Sequence, residues 1–163
     1  MLTLTLTALA GSALPARAET PAERDARMAW WREARFGMFV HWGLYSGLAG
    51  TWEGKPVGLK GGMEWIQQRV KVDTDPYAKV ALPRFKPTKN FAREWATLAK
   101  AAGCRYLVFT SKHHEGFALH DSKIGDYNAG TRLHRDLVQE IVAAAREQGL
   151  KVGFYHSVID WHH

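Results

Sequence analysis

The chain has 163 residues, of which 46% are hydrophobic and 23% are charged, a globular composition that is long enough for one ordinary domain. The net charge of +6 at pH 7 comes from basic residues scattered singly among acidic ones, so the basic block or stripe of a nucleic-acid-binding protein is absent. Cys104 is the only cysteine, which excludes an intrachain disulfide and predicts a buried, inert thiol at the start of an apolar strand.

The first twenty residues, MLTLTLTALAGSALPARAET, differ in composition from the rest of the chain. They are rich in Leu, Ala and Thr, and Ala16-Arg17-Ala18 has the small-x-small pattern of a signal-peptidase site. We therefore expect a signal peptide over residues 1–18, cleavage after Ala18, and a periplasmic or secreted protein. No Lys or Arg precedes Arg17, so an unstructured N-terminal tail is the alternative. No later segment is long and apolar enough to span a bilayer, and no membrane association is expected after cleavage.

Helix and strand patterns begin after this segment. Residues 20–35 have the start signals of a helix, with Thr20 as N-cap, Pro21 at the first helical position and Glu23 at the third. The short apolar run RFGMFVHWG at residues 35–43 then predicts a buried strand.

The middle of the chain is rich in glycine and proline. We expect a long loop over residues 44–62, two helical turns over residues 63–70 and another loop over residues 83–90. An amphipathic helix then begins at Asn90 as N-cap and ends at Gly103. Its predicted inward-facing residues are Phe91, Trp95, Leu98, Ala99 and Ala102.

The last third of the chain repeats this alternation. Residues 104–111 predict a strand, residues 136–148 a helix and residues 150–157 a third strand. The inward face of the helix is predicted to carry Leu137, Ile141, Ala144 and Ala145. The order strand, helix, strand, helix, strand indicates an α/β fold with a parallel sheet and right-handed crossovers.

Polar and aromatic side chains follow all three predicted strands. His41-Trp42 ends the first, the stretch TSKHHEGF (residues 110–117) ends the second, and Tyr155-His156 ends the third. Since the carboxyl ends of parallel strands collect functional groups, we expect these side chains to converge. Convergent imidazoles either bind a metal ion or form hydrogen bonds with hydroxyl groups.

A metal-dependent barrel hydrolase is therefore one hypothesis, and a sugar site is the other. The sequence offers no His-x-His pair that would direct two ligands to one side of a strand. His113 and His114 are adjacent, so on an extended backbone they would point to opposite faces. Sugar recognition fits more easily, because imidazole, indole, amine and carboxylate groups together supply donors, acceptors and an apolar stacking face.

Four blocks in order resemble the α-L-fucosidase family of retaining glycoside hydrolases (family 29). They are RFGMFVHWGLYS (35–46), GGMEWI (61–66), TSKHHEGFALHDSK (110–123) and KVGFYHSVIDWHH (151–163). Together they span the chain from Arg35 to its last residue. Glu115 is a departure, since the family often carries aspartate there, and we expect little consequence from it.

The resemblance implies a (β/α)8-like TIM barrel, of which this chain would supply the first three strands or so, and the hydrolysis of terminal α-L-fucose from oligosaccharides or glycoconjugates. It implies neither metal nor cofactor. The residues that it places around the fucose are His41, Glu64, Trp65, His113, His114 and Tyr155. Its weaker candidates, as supporting or structural residues, are Lys112, Trp42 and Trp161.

Retaining glycosidases use two carboxyl groups about 5–5.5 Å apart, a nucleophile and an acid/base. In the family both lie on later strands, so we expect them beyond His163 and assign neither role to Glu64 or Asp160. Residues 19–163 are thus expected to be the N-terminal portion of a catalytic barrel, inactive alone. A non-catalytic sugar-binding module is the remaining alternative.

Overall fold

The computed structural model describes residues 17–58 and 61–163, and these divide into two units, one that ends at residue 33 and one that begins at residue 34. Nearly all of helix α1 (Pro21–Ala34) belongs to the first unit. The predicted cap is confirmed, because Thr20 Oγ1 accepts from the Glu23 N–H (3.3 Å) and Glu23 accepts from the Thr20 N–H (2.9 Å). Most of the predicted signal peptide, residues 1–16, lies outside the described residues.

The second unit contains six α-helices, two short 3-10 helices and five strands within its described residues. The helices are α2 (Leu44–Leu48), α3 (Ile66–Val70), α4 (Thr74–Ala81), α5 (Phe91–Ala101), α6 (Ala129–Leu133) and α7 (Leu137–Glu147), with 3-10 turns at Met63–Trp65 and Leu82–Arg84. The strands are β1 (Gly37–Val40), β2 (Thr51–Trp52), β3 (Lys55–Pro56), β4 (Tyr106–Lys112) and β5 (Lys151–His156). Among the described residues, no helix combines the length and apolarity needed to cross a membrane.

The main sheet is parallel, with the strand order β1-β4-β5. Val40 pairs with Phe109, and Thr110 pairs with Tyr155, so the three strands end at one edge. Helices α2 to α5 lie between β1 and β4 in the chain, and α6 and α7 lie between β4 and β5. The predicted alternation and the parallel sheet are therefore confirmed.

Helices α5 and α7 pack against each other and share a core with β4. In α7 the predicted inward face is confirmed, since Leu137, Ile141 and Ala145 are fully buried and Ala144 is partly buried against the core. Cys104 is buried as predicted.

In α5 the predicted inward face is partly wrong. Leu98 is 62% exposed, because the buried stripe is centred on alanines that allow a close approach of neighbouring elements. Ala102 is also exposed, because it lies just beyond the end of the helix. Asn90 begins the helix as predicted, but its side chain makes no capping hydrogen bond, since its backbone is not in the extended conformation of a typical N-cap. The buried residues of α5 are Phe91, Ala92, Ala96 and Ala99.

The prediction of one long loop over residues 44–62 is wrong. Its first residues form α2, of which Leu44, Tyr45 and Leu48 are buried. A two-residue turn then joins β2 to β3, and both of its residues, Glu53 and Gly54, have positive φ angles (49° and 77°), as tight hairpins require. Helix α4 falls in a segment for which the sequence pattern gave no prediction.

Candidate functional site

The site begins where strand β4 breaks. The strand ends at Lys112 after a register shift against β5, and the Gly116 N–H donates to the His113 carbonyl (3.0 Å), closing a turn. Gly116 has a φ of 82°, a conformation that suits glycine. On this turn the rings of His113 and His114 lie 4.3 Å apart. The expectation that an extended backbone would separate the two imidazoles does not apply, because the backbone is no longer extended there.

One residue from each of the other two strand ends, His41 after β1 and Tyr155 in β5, joins His113 in an aromatic cluster. The ring centroids of His41 and His113 are 5.3 Å apart, and the ring of Tyr155 stacks on His113 at 5.2 Å. Tyr155 also lies 5.3 Å from His41, which itself stacks on Phe39 at 4.8 Å. The parallel sheet thus brings together side chains that are more than 100 residues apart in the chain, as the strand-end pattern predicted.

The 3-10 turn at Met63–Trp65 supplies the other two predicted site residues. The Trp65 ring meets His114 edge-on at 5.0 Å, and both contact Trp161, at 5.5 and 5.3 Å. Glu64 is half-buried, and its charge acts on His114, where it favours the protonated form. The structure therefore brings all six predicted residues to the same edge of the sheet.

His113 is a neutral imidazole with an unused polar atom. Burial, reinforced by the nearby His114 and His41 rings, lowers the pKa of His113 to about 4. The side chain is 3% exposed, and its Nδ1 has no hydrogen-bond partner among the residues that the structure describes. A buried ring nitrogen in this state is costly unless a ligand satisfies it.

The tautomer of His114 is set by a serine that the sequence analysis did not single out. The Ser157 hydroxyl donates to the Ile159 carbonyl (2.7 Å), so it can only accept from His114 Nδ1, 2.6 Å away. In the neutral ring Nε2 is then an acceptor. Burial is the largest cause that lowers the pKa of His114, and Lys112 and His41 add to it against the opposing effect of Glu64.

The three weaker candidates have different surroundings. Trp42 packs among core aromatic rings, 4.7 Å from Phe91 and 4.8 Å from Trp95, which favours a structural role. Lys112 forms an ion pair with Asp160 (2.7 Å) in a largely buried setting. Burial opposes ionisation of Asp160, yet the hydrogen bonds from Lys112 and from the His162 N–H hold its pKa below the usual value. Trp161 contacts two of the predicted sugar-binding residues, Trp65 and His114.

Within the described part of the chain, Asp160, His162 and His163 are the one group of three potential metal ligands whose donor atoms lie within 4.8 Å of one another. They border a cavity of about 240 Å³ beside the site. A metal ion there would compete with the Lys112 ammonium for Asp160. The strand-end imidazoles of His41, His113 and His114 are not part of this group.

Comparison with known proteins identifies the chain's relatives. The sequence profile of the family described as Alpha-L-fucosidase matches residues 9–163. The chain is 37% identical to human tissue α-L-fucosidase over 170 residues, which cover 93% of the chain and 34% of the human protein. It is 36% identical to the α-L-fucosidase of Branchiostoma floridae, over 99% of the chain and 38% of that protein.

Solved structures agree with these sequence matches. A family 29 α-L-fucosidase from Bacteroides thetaiotaomicron superimposes with a TM-score of 0.76 at 38% identity, over 97% of this chain and 34% of that one. The α-L-fucosidase of Lactobacillus casei in complex with α-L-fucose superimposes with a TM-score of 0.77 at 40% identity, over 83% of this chain and 42% of that one. The chain thus spans about a third of the length of its curated relatives, and its α/β fold is similar to part of theirs. On the profile match, the sequence identities and the shared fold, the chain belongs to the α-L-fucosidase family.

Proposed function

We propose that the protein carrying this chain hydrolyses terminal α-L-fucosides with retention of anomeric configuration, and that residues 34–163 supply much of its fucose-binding wall. The observation that carries the proposal is the convergence of six polar and aromatic side chains at one sheet edge, with the unpartnered Nδ1 of His113 among them. A relative from L. casei binds α-L-fucose, and a variant of it binds Fuca(1,6)GlcNAc.

The chemistry of the cluster suits a neutral, hydroxyl-rich ligand. A neutral imidazole offers one donor and one acceptor, and a sugar hydroxyl can both donate and accept. As a neutral ring, His113 contributes no positive charge that would attract an anionic ligand. The rings of Tyr155 and Trp65 add flat apolar surfaces against which a deoxy sugar can pack. Glu64 supplies a carboxylate that can accept from further hydroxyls.

The bond-breaking groups are proposed to lie outside residues 1–163. A family 29 fucosidase of B. thetaiotaomicron has been trapped as a covalent intermediate with 2-fluoro-fucosyl fluoride, which is the intermediate that a carboxylate nucleophile forms in a retaining mechanism. Asp160 is already paired with Lys112, so it is a poor candidate for the nucleophile. We place both catalytic carboxyl groups on later strands of a TIM barrel that begins with β1, β4 and β5.

The test uses the protein expressed from the complete reading frame that contains this chain. With p-nitrophenyl α-L-fucoside, we expect L-fucose to be released first as the α anomer, observed by proton NMR, and activity to persist in a chelator. A first-formed β anomer or loss of activity in chelator would contradict the retaining, metal-independent mechanism. Binding of fucose without turnover would indicate a sugar-binding module instead.

Replacing His113 or His114 by alanine in that protein is expected to lower kcat/KM by roughly 5-fold to 150-fold. Each substitution leaves sugar hydroxyls without a partner in the transition state, at a cost of about 1–3 kcal/mol. The control is His134→Asn, because His134 is exposed, lies away from the cluster and has a positive φ that asparagine tolerates. If both alanine variants stay within twofold of wild type while the protein cleaves fucosides, the pair is structural.

Export belongs to the same proposal. The composition of residues 1–18 and the Ala16-Arg17-Ala18 pattern support a cleaved signal peptide and a periplasmic or secreted enzyme. Mass spectrometry of the protein recovered from its native host should then find Glu19 as the first residue. A mature protein that retains Met1 would overturn this part of the proposal.

A further inference from the structure

Glu115 is a fully buried carboxyl group immediately after the His113-His114 pair. Its side chain is 1% exposed. One carboxyl oxygen accepts from the Leu44 N–H and the other from the Tyr77 hydroxyl, both at 2.6 Å. The Tyr45 N–H also contributes a hydrogen bond. The side chain therefore points away from the sugar-binding cluster and into the core beneath it.

The donors that Glu115 engages belong to the segment that follows His41. Leu44 begins α2, only three residues after His41, and Gly43 between them has no room for a Cβ because Glu115 Oε1 and the Tyr45 ring occupy that space. The Tyr45 ring in turn meets His113 edge-on, with centroids 5.6 Å apart. One carboxyl group thus joins the backbone after β1 to the turn after β4.

We propose that Glu115 is a positioning residue of the fucose site, which holds His41 in register with His113 and His114. The inference rests on the proposed function, because it is tested through the kcat/KM for fucoside hydrolysis. Glu115 does not itself touch the sugar. It acts through the α2 backbone and through Tyr45, which fixes one side of the His113 ring.

The setting of the carboxyl group supports a geometric role. The groups that face it are neutral, namely two backbone N–H groups and the hydroxyl of Tyr77, with the Tyr45 and Tyr127 rings nearby. A buried carboxyl without a cationic partner is costly, and an apolar side chain could fill the same space at lower cost. The three convergent hydrogen bonds are what an apolar residue would lose.

The length of the side chain matters for this role. The resemblance implied aspartate at position 115, and little consequence was expected from the glutamate found there. In this chain the extra methylene lets one carboxyl group reach both α2 and Tyr77 of α4. Shortening it withdraws the carboxyl from at least one of these partners.

The experiment compares Glu115→Ala, Glu115→Gln and Glu115→Asp in the protein from the complete reading frame. For Glu115→Ala we expect kcat/KM to fall about 10-fold to 100-fold, since displacements near 1 Å in a site have effects of this size. Glu115→Gln is expected to stay within about threefold, because the amide oxygen still accepts from the α2 N–H groups. Glu115→Asp should lie between them, and all rates are taken at temperatures where each variant is folded.

The control is Ile141→Ala, a core substitution in α7 that lowers stability without touching the strand-end cluster. A purely structural Glu115 would resemble it, with a lower melting temperature and an unchanged kcat/KM in the folded protein. That result for Glu115→Ala would overturn the inference, and if Glu115→Ala does not fold, the same result for Glu115→Asp would do so. A wild type that releases no fucose would instead overturn the proposed function, and this inference with it.

Discussion

Replacing Trp42 by alanine is expected to lower the free energy of unfolding by about 3 kcal/mol, the lower end of the range for removing a large aromatic side chain from a packed core, because the side chain is only partly buried against that core. The Trp42 ring contacts Phe91 (4.7 Å), Trp95 (4.8 Å), Phe85 (5.0 Å) and Phe109 (5.9 Å). These rings come from three parts of the chain, namely α5, β4 and the residue after the 3-10 turn at Leu82–Arg84, so the cavity left by alanine cannot be closed by a local shift. Urea denaturation followed by far-UV circular dichroism measures the loss.

The matched variant is Trp42→Phe, which keeps one ring in the cluster and should lose clearly less stability than the alanine variant. In folded Trp42→Ala protein, we expect the loss of binding free energy for L-fucose to be smaller than the loss of unfolding free energy. An alanine variant with wild-type stability but strongly weakened fucose binding would show that Trp42 contacts the sugar, as the resemblance allowed.

The regular part of the fold could be predicted because its signals are local. In α7 the burial of Leu137 and Ile141 follows directly from helical periodicity, and Asp136 caps the helix by accepting from the Gln139 N–H at 2.8 Å. In α5 the same reasoning put Leu98 in the core. Periodicity gives the width of an apolar stripe, but close packing decides which edge of it is covered.

The short elements between β1 and α5 could not be predicted because their stability is not local. Helix α2 has five residues, too few to form without tertiary contacts. Its Leu44 N–H is capped by Glu115, which lies 71 residues later in the chain. A glycine-rich sequence with such a distant cap looks like a loop when it is considered alone.

The site was predictable in its location and less so in its geometry. Strand order alone indicated that His41, His113 and Tyr155 converge, because parallel strands end at one edge. The turn after Lys112, which places His113 beside His114, depends on a register shift and on Gly116. Glu64 has no strand to position it, so its assignment depended on the resemblance to the family.

The burial of Glu115 predicts that stability falls as the pH rises, which is unusual for a carboxyl group. Burial raises its pKa from the ordinary 4.5 to about 7, although the hydrogen bonds from Tyr77 and the α2 N–H groups oppose the rise. The folded state therefore holds the proton more tightly than the unfolded chain does. Below pH 4.5 both states are protonated, and as the pH rises toward 7 the unfolded state ionises first, so stability falls. Above pH 7 both are ionised and the loss is complete.

The expected loss between pH 4.5 and pH 8 is on the order of 3 kcal/mol, since each unit of difference in pKa between the two states is equivalent to about 1.4 kcal/mol. Other groups titrate over the same range, so the measurement is the difference in unfolding free energy between wild type and Glu115→Gln at several pH values. Burial and the charge of Glu115 raise the pKa values of Tyr45, Tyr77 and Tyr127, which therefore stay neutral throughout. Glu94→Gln, at an exposed position on α5, controls for the removal of a carboxyl group. Parallel curves for wild type and Glu115→Gln would mean that the buried carboxyl group ionises as easily in the folded protein as in the unfolded chain.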